Sequence, residues 1–194
     1  MVILMLFNLN IEAQESATFN GNAAKIVFVN GTLGMGTFAA GENMGGSVFL
    51  GSSLSADWMP NSKSGITCGL ESGLLGGETN GSIIYGIPAI FRFGWHPAYL
   101  KNENIDFFVL MKTGWSFGIW NSNIDNYSSP NGIVGGIVLG GRFFLTPILD
   151  VYSELGYTYY GLARSSNHPE YPLGYGSGKI YASLGLSLKI GKHL

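Results

Sequence analysis

Strict alternation of side-chain type along the chain is the feature that most constrains its fold, and it is clearest near the C-terminus. One parity of residues 179–190 is polar or small: Lys179, Tyr181, Ser183, Gly185, Ser187 and Lys189. The other parity is aliphatic throughout: Ile180, Ala182, Leu184, Leu186, Leu188 and Ile190. Successive side chains of a β-strand point to opposite faces, so this pattern predicts a strand between two different surroundings.

The same period of two recurs in earlier segments of the chain. These segments are about 27–39, 46–58, 63–75, 82–94, 106–119, 133–145 and 149–162. The first is the least regular, because Gly31, Gly34 and Gly36 dilute it. Each segment is long enough for a tilted membrane crossing, which needs about 9–11 residues. With 179–191 they predict an all-β fold, an eight-stranded antiparallel up-and-down transmembrane β-barrel with both termini on one side.

The composition indicates whether the aliphatic side chains of these strands face lipid or water. Only 11% of the residues are charged, against about 25% in soluble domains. No apolar run of about 18 residues occurs beyond the N-terminus, which excludes a bundle of transmembrane helices. A closed barrel is the other structure that satisfies its own backbone hydrogen bonds in lipid.

Several classes of protein are excluded or disfavoured by simple counts. The net charge of −2 gives no basic surface for nucleic acid. The single cysteine, Cys68, cannot form an intramolecular disulfide, and it lies too far from the N-terminus for a lipoprotein anchor. We expect no cofactor and no metal site, since no tight cluster of His, Cys and Asp residues occurs.

The N-terminal segment 1–13 is interpreted as a secretory signal peptide, with residues 14–194 forming the barrel domain. The apolar run Val2–Phe7 is followed by Ala13, a small residue suited to cleavage. No Lys or Arg precedes the run, which a start codon placed too late would explain. The alternative is a short buried element at the start of a mature domain.

Charged residues within the predicted strands share the parity that would face the barrel interior. The predicted lumen network consists of Glu71, Arg92, Lys112, Arg142, Glu154 and Lys189. Buried charges require partners, so we expect Arg142 to pair first with Glu154, and Lys189 to reach Glu154 from the last strand. Lys112 or Arg92 would form the ion pair with Glu71. Side chains fill the interior of eight strands, so the pairs predict a plug with little conductance.

Aromatic residues and connection lengths fit the same arrangement. Two girdles are predicted, with Trp58 and Trp95 at the inner rim and Trp115, Trp120, Tyr157 and Tyr159 at the outer rim. Short connections at 58–62 and 146–148 would face the periplasm, and long ones at 120–132 and 163–178 would face outwards. The long stretch 95–105 lies on the short side and breaks this rule.

The alternating strands, charged lumen and aromatic girdles, over roughly 20–194, resemble the small-barrel class that includes the OmpA transmembrane domain and the OmpX/Ail adhesin-like proteins. The resemblance implies location in the bacterial outer membrane and insertion by the barrel-assembly machinery, which reads the last strand. That strand commonly ends in Phe, whereas this chain ends Lys192–His193–Leu194. The resemblance also implies a surface protein that contacts ligands through its outer loops.

Two alternatives remain open at the level of sequence. Some eight-stranded barrels modify lipid A, and His168 has Ser165, Ser166 and Glu170 nearby in a predicted loop. A flexible loop positions such a group poorly, so we predict no enzyme. A soluble lipocalin-like carrier of the periplasm would place the aliphatic parity inside the barrel instead. The Gly-rich and charge-poor polar parity would make a poor soluble surface, which favours a non-enzymatic membrane scaffold.

Overall fold

Eight β-strands and two of their connections, 62–65 and 145–148, are described in full by a computed structural model, which covers residues 24–39, 48–79, 82–97, 104–121, 132–162 and 175–193. The strands are β1 (Ala24–Ala39), β2 (Val48–Asn61), β3 (Ile66–Thr79), β4 (Ser82–Trp95), β5 (Ile105–Asn121), β6 (Gly132–Phe144), β7 (Leu149–Leu162) and β8 (Tyr175–His193). The predicted signal segment 1–13 lies outside the described residues.

The strands form one closed barrel in which each pairs antiparallel with the next. β1 and β8 close it through an unbroken register that runs from Ala24↔His193 to Ala39↔Gly178. Closure leaves no strand edge without a partner, which lipid requires because it offers no hydrogen bonds. The predicted eight-stranded antiparallel barrel is confirmed. Within the described ranges, no helix has the length and hydropathy needed to cross a bilayer.

The two faces of the wall are the reverse of those of a soluble barrel. Aliphatic side chains are on the outside, where Leu33 is 72% exposed and Leu54 is 70% exposed. Polar side chains are inside, where Asn30 and Asp150 are fully buried. A soluble lipocalin-like carrier needs the opposite parity, so the structure removes that alternative. An apolar exterior around a polar interior is the pattern of transmembrane barrels.

One end of the barrel, here called the turn end, carries both described termini and two short connections. These connections are the turn 62–65 and the segment 145–148. The first therefore begins four residues later than the predicted 58–62, because β2 continues to Asn61. Gly65 adopts φ +66°, and a Cβ there would collide with the carbonyl oxygen of His96.

The long connection between β4 and β5 also lies at the turn end and is fastened where it leaves and re-enters the wall. The backbone N–H of His96 donates to the carbonyl oxygen of Gly65 at 2.8 Å. The backbone N–H of Phe144 donates to the carbonyl oxygen of Asn104, also at 2.8 Å. At the opposite end, here called the loop end, β5 extends to Asn121 and β8 begins at Tyr175. Most of the predicted outer connections, residues 122–131 and 163–174, lies outside the described residues.

Apolar residues inside the barrel collect towards the turn end. One buried cluster contains Ile26, Phe28 and Met59. A second contains Phe108, Leu110, Val138 and Tyr152. Gly140 allows the second cluster to form, since a Cβ at this position would overlap the ring of Phe108. The ring therefore lies directly against the β6 backbone.

Candidate functional site

The lumen contains a group of five charged side chains, here called the charged belt: Asp57, Glu71, Arg92, Lys112 and Glu154. Arg92 lies at its centre, with Nε 2.9 Å from Asp57 Oδ1 and Nη1 2.7 Å from Glu71 Oε2. Its Nη2 lies 2.8 Å from Glu154 Oε1. Lys112 Nζ completes the belt at 2.8 Å from Glu71 Oε2 and 2.6 Å from Glu154 Oε2.

The belt is assembled by four consecutive strands, β2 to β5, and by β7, which is not paired with any of them. Arg92 and Lys112 are direct partners in the β4–β5 register. Asp57 comes from β2, Glu71 from β3 and Glu154 from β7. All five side chains are at most 8% exposed. Burial at this level requires that every charge be paired, and the geometry of the belt meets this requirement.

A second cation, Arg142, is held mainly by aromatic rings. Its guanidinium carbon lies 3.9 Å from the ring centroid of Phe28, 4.8 Å from that of Phe108 and 5.0 Å from that of Tyr152. Three carboxylates stand further off: Asp57 and Asp106 are each 3.6 Å from a guanidinium nitrogen, and Asp150 is 3.9 Å away. We call Arg142, the three rings, Asp106 and Asp150 the Arg142 cage.

Tyr152 joins the cage to the charged belt. Its ring stacks on Phe108 with centroids 5.6 Å apart, and it also contacts the guanidinium of Arg142. Its hydroxyl donates to Glu154 and accepts a hydrogen bond from Arg92. A single fully buried side chain therefore couples the two groups of charges.

His96 closes the cage at the turn end. Its ring stacks on Phe28, with centroids 6.2 Å apart, and lies 5.1 Å from the ring of Phe108. Nδ1 lies 2.7 Å from Asp106 Oδ2, and the residue is only 2% exposed. In the sequence, His96 falls in the stretch 95–105, which was predicted to lie on the periplasmic side. Its contribution could be seen only when Phe28, from the first strand, was brought beside it.

Two of the ion pairs predicted from sequence are wrong. Arg142 does not pair with Glu154, because Glu154 stands opposite Gly140 in the β6–β7 register and Arg142 stands opposite Tyr152. Nor does Lys189 reach Glu154, since Glu154 is opposite Ser183 in β8, six positions before Lys189. Lys189 instead places its ammonium 5.3 Å from the ring centroid of Phe144.

The structure brings the other predicted lumen residues together. Lys112 and Arg92, which were alternatives for Glu71, both contact it. The lumen network predicted from sequence lacks Asp57, Asp106 and Asp150, although all three are buried in the structure. Their inward-facing position in the alternating pattern could have identified them as lumen residues. In β5, for example, Asp106 shares the parity of Lys112.

Five of the six predicted aromatic girdle residues have described side chains, and these five lie on the outer face. Near the turn end, Trp58 is 47% exposed and Trp95 is 48% exposed. Towards the loop end lie Trp115, Tyr157 and Tyr159, which are also exposed. Trp120 is in β5, but its side chain lies outside the described residues. Trp and Tyr favour the level of the lipid headgroups, which fits side chains near the ends of lipid-facing strands.

Charged side chains of both signs lie beside one another in the lumen, and two clusters of buried apolar residues lie next to them. Among the described residues, no group of three or more His, Cys, Asp or Glu side chains could hold a metal ion. The loop residues weighed for catalysis, Ser165, Ser166, His168 and Glu170, lie outside the described residues.

Comparison with solved structures shows the same fold. The structure of Neisserial surface protein A superposes with a TM-score of 0.59 at 10% sequence identity, over 84% of this chain and 96% of that one. The outer membrane protein OprG from Pseudomonas aeruginosa gives a TM-score of 0.53 at 10% identity, over 87% of this chain and 97% of that one. No protein-family model and no curated protein matches the sequence. The fold is that of the small eight-stranded outer-membrane barrels.

Proposed function

We propose that this protein is a non-enzymatic scaffold of the bacterial outer membrane, which presents the connections 120–132 and 163–178 to ligands outside the cell. The observation that carries the proposal is the contrast between the two faces of its wall. The outer face of the described strands is mainly apolar, and the lumen contains the charged belt and the Arg142 cage. Such a barrel anchors and orients its loops and offers no wide path for solutes.

Membrane location is tested by fractionation and by gel migration. We expect the protein in the outer-membrane fraction, with folded and heat-unfolded forms migrating differently. A closed barrel resists unfolding by detergent at room temperature because all its strands are paired. Recovery in the soluble periplasm without detergent would contradict the proposal.

Closure of the lumen is tested by conductance in planar bilayers. We expect the wild-type protein to give only small, rare currents, since buried ion pairs and rings fill its interior. The double variant Phe28→Ser and Phe108→Ser, which removes two walls of the Arg142 cage, is the matched positive control and should conduct more. Large, stable wild-type channels would show that the barrel is a pore.

Ligand contact through the loops is tested by replacing residues 163–174 with a short Gly-Ser linker. We expect the barrel to keep its heat-modifiable migration, because the replaced residues lie between β7 and β8. Adhesion of cells that display the variant should fall. The same replacement of 122–131 is the matched control, and unchanged adhesion in both variants would argue against ligand contact by these loops.

An enzymatic role in lipid A modification has no support from the described residues. We expect the double variant His168→Ala and Glu170→Gln to leave the lipid A profile of the cells unchanged. A profile that changes with the protein and reverts in this variant would establish an enzyme.

The proposed assembly partner is the barrel-insertion machinery, which would recognise β8. We expect removal of residues 192–194 to slow insertion in cells and to leave folding into detergent micelles largely intact. Equal insertion rates for both chains would argue against a signal at this terminus.

A further inference from the structure

The outer face of the barrel is divided into two sectors that differ in their aromatic content. Among the described side chains, strands β4 to β7 carry ten exposed aromatic residues, which include Trp95, Trp115 and Tyr157. Strands β8, β1, β2 and β3, here called the aromatic-poor sector, carry only Trp58. Aromatic residues anchor a wall at the headgroup levels of a bilayer. The aromatic-poor sector therefore lacks most of the anchors that a lipid-facing wall uses.

A groove of about 820 Å³ crosses the middle of the aromatic-poor sector. It is lined by three small residues, Gly31, Ser52 and Ser72, and by leucines that include Leu54 and Leu186. Both serines are exposed on the outer side of the wall. Hydrocarbon offers their hydroxyls no hydrogen-bond partner, so a wall covered by lipid alone would leave these polar groups unsatisfied.

The wall beside this groove is interrupted at a proline. The β3–β4 register gives Gly73 and Leu74 no partner, although the pairs on either side of them are regular. Pro88 of β4, which would stand opposite Gly73, has no N–H to donate. The β4–β5 register continues through Pro88, so the missing hydrogen bond is on the side of β3. A backbone group without a partner is costly in hydrocarbon, and this cost falls at the edge of the groove.

Large and small residues alternate over the aromatic-poor sector. In the β2–β3 register, every outward-facing pair from Leu50 to Trp58 joins one large and one small residue: Leu50↔Gly76, Ser52↔Leu74, Leu54↔Ser72, Ala56↔Leu70 and Trp58↔Cys68. In the β4–β5 register, pairs such as Ile87↔Phe117 join two large residues. A surface with knobs and hollows in equal number fits a second copy of itself, because the leucines of each copy can occupy the hollows of the other.

The aromatic-poor sector is large enough for a specific contact between proteins. Four strands spaced about 4.8 Å apart, with about 27 Å of wall from Val27 to Met35, give about 500 Å² per copy. Two copies together then bury about 1,000 Å², which is the lower limit for specific protein interfaces. Inside a membrane lipid is as apolar as the wall, so close packing at small residues and hydrogen bonds supply the stability of such a contact.

We propose that this protein associates with a second copy of itself in the membrane through the aromatic-poor sector, with the groove at the centre of the contact. The inference rests on the proposed outer-membrane location, because two copies inserted in the same direction are related by a twofold axis along the membrane normal. That axis brings Ser52 and Ser72 of the two copies to the same depth in the bilayer. Hydroxyls of one copy then meet polar groups of the other at a level where lipid chains offer none.

The test is resonance energy transfer between copies of the folded protein in lipid vesicles, with dyes attached at Lys63→Cys in a Cys68→Ser background. Lys63 lies in the turn 62–65, away from the groove. We expect energy transfer in this reference chain to fall on dilution with lipid, as a reversible dimer requires. The double variant Ser52→Leu and Ser72→Leu fills the groove and removes both hydroxyls. It should weaken association about tenfold or more, which corresponds to about 1.4 kcal/mol.

Thr113→Leu is the matched control. It replaces an exposed hydroxyl residue with leucine on the outer face of β5, outside the aromatic-poor sector. It should leave association unchanged. Equal weakening by Thr113→Leu, or full association in the double variant, would overturn the groove as the site of contact.

The outcomes also separate this inference from the proposed function. A chain that does not migrate as a folded barrel after insertion into vesicles contradicts the membrane proposal itself. A folded reference chain that stays monomeric at every ratio of protein to lipid overturns self-association alone. A monomer that retains a lipid until both serines are replaced would assign the groove to that lipid and would likewise overturn the inference.

Discussion

Two arginines are buried in the same lumen, and the barrel compensates their charges in different ways. Arg92 has three carboxylates within 2.9 Å of its guanidinium nitrogens. Arg142 also faces three carboxylates, but at 3.6–3.9 Å, and three aromatic rings surround it instead. Arg92 is held by close ion pairs, of which those to Glu71 and Glu154 are hydrogen-bonded, and Arg142 is held mainly by contact with aromatic rings.

The difference follows from what else each group of carboxylates contacts. Glu71 and Glu154 have only Arg92 and Lys112 as cationic partners within 4 Å among the described residues. Two of the three carboxylates around Arg142 have further partners, since Asn30 donates to Asp57 at 2.9 Å and His96 contacts Asp106 at 2.7 Å. The belt therefore depends on Arg92 more than the cage depends on Arg142.

The largest effect is expected for Arg92→Met. This change leaves Asp57, Glu71 and Glu154 with fewer cations in a buried site, and breaking one side of a buried ion pair costs about 3–5 kcal/mol. Urea unfolding in lipid vesicles, followed by tryptophan fluorescence, measures the loss in the free energy of unfolding. A loss below about 1 kcal/mol would mean that water already hydrates the belt.

A smaller effect is expected for Arg142→Met. The thioether side chain can fill the space between the rings, and Asp57 and Asp106 keep other partners, so we expect a loss of about 1–3 kcal/mol. The same unfolding experiment compares the two variants directly. A larger loss in the free energy of unfolding for Arg142→Met than for Arg92→Met would mean that the more distant carboxylates, and not the rings, contribute most to the stability of the cage.

Tyr152→Phe tests the link between the two regions. The change removes the hydroxyl that contacts Glu154 and Arg92 and keeps the ring that contacts Phe108 and Arg142. We expect a loss of about 1–2 kcal/mol, the range for a buried hydrogen bond to a charged group. The loss should be smaller in the Arg92→Met background, where the hydroxyl keeps only its bond to Glu154. An unchanged loss there would show that the bond from Arg92 contributes nothing to the effect.

The smallest effect is a coupling energy, measured with Phe108→Leu in a double-mutant cycle. Phe108 contacts Arg142 at 4.8 Å, so we expect a coupling of about 0.5–1 kcal/mol between Phe108→Leu and Arg142→Met. The cycle with Arg92→Met should give a coupling near zero. Equal couplings would show that the belt and the cage respond as one unit.

Much of the architecture could be predicted from sequence because strand periodicity is local information. The β7 segment 149–162 was predicted with the bounds that the structure shows. The inward parity of Arg92, Lys112 and Glu154 followed from the same count of two. The boundary near β3 was less accurate, since β3 begins at Ile66 rather than near 63, where the turn closed by Gly65 precedes it.

The pairing of the charges was not available from the sequence. Parity indicates which face a side chain occupies, but it does not indicate how far one strand is shifted along the next. The register places Gly140 opposite Glu154, and for that reason Arg142 is directed to Tyr152, Phe28 and Phe108. A shift of two residues would keep every face and change every partner.

The sequence by itself determined that eight alternating segments place charge on one face and aliphatic residues on the other, because each strand carries that information in its own period. Only the tertiary structure decided how those charges are neutralised. Phe28 of β1 meets Arg142 of β6 and His96 beyond β4 across the lumen. Contacts across a closed barrel depend on the curvature of the sheet and on the register of its strands, and the sequence of one strand specifies neither of them.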